Sequence, residues 1–536
     1  MKNFLPVLWN RALGHVFEFY GVISSDFKSR LLSYIVPTFV GLVLTALMVL
    51  PVGVPIIGSI TSYWWADAAN QEFVGQGNKW FWYRKSILTV ALLALVVAGV
   101  WLWRRLLYSR GKSAGVALLL AYMIFVAVPI GTQCLVMGDW TKMGDVTFSS
   151  GSWSGPSHMT IASRIDSVPR YLSHMTDYAG VEGQLMGLMR NKAPGFVLTY
   201  YAFDQVNLRV GRALGLGSLS LQERGILVGV DFLLVTGLCL FPLYFTAKKI
   251  FSKNIALIGV MIFSLTPMVS FNFGDAQSWN YLLMMPETAL AMLFLVHGLD
   301  KRSWLWTMMA IVVAAVGMLF NWASLALLVL CLMYMAARLR WATDDVTRKM
   351  ASQAPRILII LLILSVAAIG LIWLATGINM IVFFWDTFVI GAFLSHDMLY
   401  SLAHLFTGSG IKYLASLPAS VFEFFFWCGI PISLQFILSL VRLVKSKRGA
   451  STQQIPGRLL VVVFVLFIAI LALSSFTFDT RRIWAFLAPV FLIAGMYELE
   501  AIKQEKVAIS AGLVLFGLQA IQVVVCRSVF EYSHAV

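Results

Sequence analysis

Apolar runs long enough to cross a bilayer recur along nearly the whole chain, and no other feature restricts its fold so strongly. About 20 apolar residues in a helix span the roughly 30 Å of hydrocarbon in a membrane. Stretches such as 32–54, 114–137, 225–247 and 507–525 meet that length. They are continuous rather than ten-residue segments alternating in polarity, so the spanning elements are helices and a β-barrel is excluded. With 60% hydrophobic and only 12% charged residues, the chain reads as an all-α polytopic membrane protein. Its mean hydropathy is +0.82.

The pattern predicts about thirteen spans: 32–54, 87–103, 114–137, 225–247, 255–272, 279–298, 304–319, 322–338, 356–377, 415–442, 458–475, 483–498 and 507–525. Basic residues fall in every second connection. These are Arg104/Arg105/Arg110/Lys112, Lys248/Lys249/Lys253, Lys301/Arg302, Arg338/Arg340/Arg348/Lys349, Arg442/Lys445/Lys447/Arg448 and Lys503/Lys506. The positive-inside bias therefore predicts a cytoplasmic N-terminus and an external C-terminus in a multi-pass plasma membrane protein. The same distribution explains the net charge of +15 without a nucleic-acid partner, because the cations form no single patch.

Residues 1–30 read as an amphipathic segment on the cytoplasmic surface, and no cleavable signal peptide is expected. The five cysteines are scattered with no metal-ligand spacing and read as packing residues.

One polar stretch, Gly138 to Lys192, interrupts this apolar chain and opens an outer loop expected over 138–224. It holds Asp139, Asp145, Asp166, Asp177 and Glu182 with His158 and His174. A carboxylate just beyond a helix end, level with the lipid headgroups, is placed to accept a proton from an alcohol. Any single loop acid is more often a solvated residue or a helix cap; the group carries the signal. Asp139, Asp145 and Asp166 are the candidate bases, with Asp139 and Asp145 ranked first because they lie nearest the membrane boundary.

Arg481 and Arg482 lie on the outer face, against the charge bias, at the start of an apolar run. A guanidinium there matches a lipid phosphate through paired hydrogen bonds, although snorkelling beside Asp479 would also place it there. Asp275 and Gln277 occupy a very short outer turn, as substrate-contacting groups or as a cap of the next helix. Segments 195–215 and 378–406 have the spacing of interfacial helices. Asp231, Glu287 and Glu423 fall within or near spans and are expected to pair between helices rather than to form a relay.

Three elements together resemble the integral-membrane GT-C glycosyltransferases. The acid-rich first outer loop ends in Asn191-Lys192-Ala193-Pro194-Gly195, where bacterial members show His-Pro-Pro-Gly. A short turn carries Asp275 after a proline-containing span, and Asp479-Thr480-Arg481-Arg482-Ile483-Trp484 starts a late helix. The likeness runs over about residues 114–498. It implies a polyprenyl-phosphate sugar donor and a glycan, lipid or protein acceptor at the extracytoplasmic face of a bacterial inner membrane. Its site roles would be a catalytic base among Asp139, Asp145 and Asp166, donor phosphate on Arg481, Arg482 and Lys192, and substrate contacts from Asp275, Gln277 and His174. Because phosphate is already a good leaving group, a divalent cation (Mg or Mn) is optional and no cofactor is required.

The expected organisation is a cytoplasmic segment 1–30, a transmembrane hairpin 31–112, a catalytic core 113–498 and a C-terminal helix with a short tail over 499–536. A transporter or lipid flippase is the alternative, which predicts interrupted spans around a midplane site; a non-catalytic scaffold would leave the outer acids and arginines incidental.

Overall fold

The computed structural model describes residues 98–107, 113–137, 158–173, 194–215, 218–273, 279–321, 323–340, 421–445, 455–473, 484–502 and 504–529, together with isolated helical positions between 94 and 374. Among the described residues every regular element is a helix.

In chain order the helices are α1 (Ser113–Met137), α2 (His158–Ser163), α3 (Val168–Ser173), α4 (Pro194–Ala213), α5 (Leu221–Gly237) and α6 (Leu240–Ile250). Next come α7 (Lys253–Phe263), α8 (Pro267–Asn272), α9 (Trp279–Lys301), α10 (Trp304–Gly317) and α11 (Ser324–Arg340). The chain closes with α12 (Val421–Cys428), then α13 (Ile430–Lys445), α14 (Ile455–Leu473), α15 (Ala488–Glu500) and α16 (Glu505–Val529).

Five helical stretches among the described residues are long and apolar enough to cross a membrane: Ala114–Gln133, Leu221–Ile250, Lys253–Ser270, Trp279–Lys301 and Glu505–Val524. A sixth forms if α12 and α13 count as one bent span. The chain is thus a multi-pass membrane protein. Helices occupy the described parts of the runs expected from the sequence, while several of the thirteen expected spans fall wholly or largely outside the described residues. Expected span 32–54 and interfacial segment 378–406 lie outside the described residues.

Helix boundaries follow local chemistry. Ser220 and Glu223 form a reciprocal capping box, in which the Ser220 hydroxyl accepts from the Glu223 amide and the Glu223 carboxylate accepts from the Ser220 amide, which starts α5. Gly215, at φ +68°, lets the chain turn away after α4.

Helix α9 is central, packed on α5, α6, α10, α11, α15 and the short 3₁₀ turn Ala485–Leu487. The ends carrying the basic clusters gather at one end of the bundle. There Arg442 pairs with Glu498 at 2.7 Å, Arg338 with Asp300 at 3.3 Å, and the Ser252 amide donates to Glu500 at 3.0 Å. Small residues permit close helix contacts, as at Gly512, where an added Cβ would lie 2.4 Å from Ile258.

The span expected at 415–442 is not one straight helix. It bends by 117° between α12 and α13 at Gly429, whose φ is +120°. Two glutamines of α16 take up the backbone groups this break frees: Gln519 donates to Cys428 O at 3.0 Å and Gln522 to Phe426 O at 2.9 Å, while the Ile430 amide donates to Gln522 at 2.7 Å. A break inside a bilayer persists only where neighbouring protein supplies such partners.

Candidate active-site face

Helix α4 crosses the end of the bundle opposite the basic clusters and is fastened at its start and near its middle. At its start, the Gly195 amide donates to Leu319 O, beyond α10, at 2.9 Å. A Cβ on Gly195 would stand 2.5 Å from that same oxygen, so only glycine allows the approach. Further along, the fully buried Asp204 accepts from Arg224 Nε at 2.7 Å and from Arg224 Nη2. One turn on, Asn207 Nδ2 donates to Asp231 Oδ2 at 2.7 Å. These polar pairs lock the buried face of α4 to α5.

Between the fastenings lies an aromatic cluster. Tyr200 stacks on Trp279 at 5.7 Å and tilts against Phe232 at 4.7 Å, while Phe196 meets Tyr200 edge-on at 5.1 Å. Gly229 leaves room for the Trp279 ring, which an added Cβ would meet at 2.5 Å. The Trp279 indole donates to Phe273 O at 3.0 Å. Helix α2 packs on α4, with the His158 ring stacked 5.7 Å from Tyr200. In α3, burial pushes the Tyr171 phenol above its ordinary range.

Of the candidate site residues, Asp166 is described: it is exposed, in the connection between α2 and α3. Asp139, Asp145, His174, Lys192, Asp275, Gln277, Arg481 and Arg482 lie outside the described residues. Some of their described neighbours in sequence pack on α4 or α9. Phe273 and Trp279, which flank Asp275 and Gln277, both join the aromatic cluster. Gly195, three residues after Lys192, is fixed on Leu319. Trp484, two residues after Arg482, is buried against Phe424 at 5.6 Å, and the 3₁₀ turn that follows packs on α9.

Two of the acids inside spans, Asp231 and Glu287, pair between helices as expected from the sequence. Asp231 pairs with Asn207 of α4, and Glu287 accepts from the Ser324 hydroxyl of α11 at 3.0 Å. Sequence reasoning missed the Asp204–Arg224 pair. Its one signal was an acid on an otherwise apolar face of α4, with an arginine on the first turn of the next helix. Among the described residues no group of three or more His, Cys, Asp or Glu side chains could hold a metal ion.

Residues 219–373, from the start of α5 to beyond α11, match the family of dolichyl-phosphate-mannose-protein mannosyltransferases. This supports a GT-C superfamily glycosyltransferase. The matched part includes α5, α9 and α11, which carry Arg224, Trp279 and Ser324. The chain is also similar to the crystal structure of the oligosaccharyltransferase of Archaeoglobus fulgidus in complex with Zn and sulfate. That likeness has 14% identity and a TM-score of 0.45, covers 77% of this chain and spans about half (53%) of that protein. No curated protein matches.

Proposed function

We propose that this chain transfers a sugar from a polyprenyl-phosphate donor to a hydroxyl group of a glycan, lipid or protein acceptor at the extracytoplasmic membrane face, with inversion. The observation that carries this reading is the match of residues 219–373 to a family described by a dolichyl-phosphate sugar donor. The fastening of α4 beside the ends of the candidate loops agrees with it.

In this mechanism one carboxylate among Asp139, Asp145 and Asp166 takes the proton of the acceptor hydroxyl. The oxygen attacks the anomeric carbon as the bond to the donor phosphate breaks, and the polyprenyl phosphate leaves with the electron pair. Attack from the side opposite the leaving group inverts the anomeric centre. Arg481, Arg482 and Lys192 offset the charge gathering on the phosphate, while Asp275, Gln277 and His174 hold the sugar or acceptor. A divalent cation, Mg or Mn, is optional in this mechanism, because the three basic side chains already meet the phosphate charge.

The proposed organisation keeps the core over 113–498, preceded by segment 1–30 and hairpin 31–112 and followed by 499–536. The break at Gly429 is a feature a transporter would share, but its freed backbone groups are taken up by Gln519 and Gln522 rather than presented to a substrate.

The test is incubation of the purified protein with a panel of polyprenyl-phosphate sugars and an acceptor extract, following release of lipid phosphate. Release from no donor would sink the transferase reading. Retained activity in all three of Asp139→Asn, Asp145→Asn and Asp166→Asn would overturn the base assignment; loss of a base costs about 10²–10⁴-fold in rate.

A further inference from the structure

The face of α4 turned away from the bundle has a chemistry of its own. Val206, Val210 and Leu214, four residues apart, are 55%, 49% and 69% exposed. Four-residue spacing puts them in one stripe along the helix. Arg209 and Arg212, three residues apart and both exposed, lie together on one side of the stripe. Neither has an ion-pair partner among the described residues, unlike Arg224, which Asp204 holds.

The depth of this face is set by its attachments. Gly211, between Arg209 and Arg212, sits where an added Cβ would be 3.4 Å from Leu219 Cδ1, two residues before α5 begins. Leu221 begins a stretch apolar enough to cross the membrane. The end of α4 that carries the arginines therefore lies beside the start of a spanning helix, at the level where acyl chains give way to headgroups. An apolar stripe alone at that depth would accept any lipid. Two exposed guanidiniums beside it select for negative charge, because they can bond a phosphate that no ammonium group neutralises.

We propose that the Val206/Val210/Leu214 stripe with Arg209 and Arg212 is a docking surface for anionic phospholipid of the surrounding bilayer. The phosphate meets the two arginines and an acyl chain lies along the stripe. A soluble phosphate would leave the apolar stripe unused, so the lipid is the occupant. The proposal does not depend on sugar transfer.

The experiment is native mass spectrometry of the purified full-length protein with phosphatidylglycerol and phosphatidylcholine supplied in equal amounts, on wild type and on the Arg209→Gln/Arg212→Gln variant. Wild type is expected to retain phosphatidylglycerol preferentially. The variant is expected to lose at least tenfold of that preference, since about 1 kcal/mol per basic residue corresponds to about fivefold each. Both side chains are exposed, so the variant should unfold at the wild-type temperature, and Arg209→Lys/Arg212→Lys should keep the preference. Equal retention of the two lipids by wild type, or an undiminished preference in the glutamine variant, would overturn the proposal. So would displacement of phosphatidylglycerol by equimolar inorganic phosphate, or by equimolar polyprenyl phosphate, which would make the surface a phosphate or a donor site instead. Sugar transfer, assayed separately, tests the transferase reading alone.

Discussion

Arg224, on the first turn of α5, holds both carboxylate oxygens of Asp204, which is wholly buried under α4. The asymmetry of the pair makes a prediction. Removing the arginine strands a buried charge, whereas amidating the acid leaves a neutral group that still bonds. Arg224→Ala should cost about 3–5 kcal/mol and Asp204→Asn distinctly less, as measured by denaturation of the purified protein. Equal losses would mean that the pair is solvated rather than buried.

Glycine at position 195 is required by the contact with Leu319 O rather than by its own dihedrals. Gly195→Ala should push the start of α4 away and with it the segment holding Lys192. Sugar transfer should fall at least about tenfold, the loss that small misplacements of reacting groups produce. Gly115→Ala is the control, because an added Cβ there meets nothing within 4 Å. An unchanged rate in Gly195→Ala would separate α4 from the site.

The break at Gly429 depends on residues nearly a hundred positions away. Gln522→Ala removes partners from both the Ile430 amide and Phe426 O, at about 1–3 kcal/mol for each group left unsatisfied. Hydrogen exchange should rise at Ile430 and across the α12–α13 junction. Gly429→Ala should be worse still, because φ is +120° and Gln519 already fills the space. Unchanged exchange in Gln522→Ala would show that the clasp carries nothing.

Arg481→Gln and Arg482→Gln should weaken donor handling by about tenfold or more each, as loss of a charge-assisted contact to phosphate implies. The effect should appear in kcat/KM for the donor and leave acceptor KM unchanged. Wild-type kinetics in both variants would remove these arginines from the site.

Much of the architecture was legible in the sequence, because each spanning helix satisfies its own backbone and advertises itself by length and apolarity. The helices α1, α9, α11 and α16 appear where the runs at 114–137, 279–298, 322–338 and 507–525 placed them. The interhelical pairing of Asp231 and Glu287 was also readable, since an acid in hydrocarbon needs a partner. The partner's identity was not: Asn207 and Ser324 are ordinary polar residues in sequence, selected by helix crossings that leave no local signal.

By itself the sequence determined that this chain is a bundle of membrane helices and marked its loops of candidate chemistry. Only the tertiary structure decided which of their neighbours meet. The Gly195 contact, the Asp204–Arg224 pair, the Trp279 cluster and the bend at Gly429 all join residues from separate helices. Hydropathy is a local property set by transfer into lipid. Close backbone approach and buried pairing are properties of two surfaces at once, and they exist only when the helices have packed.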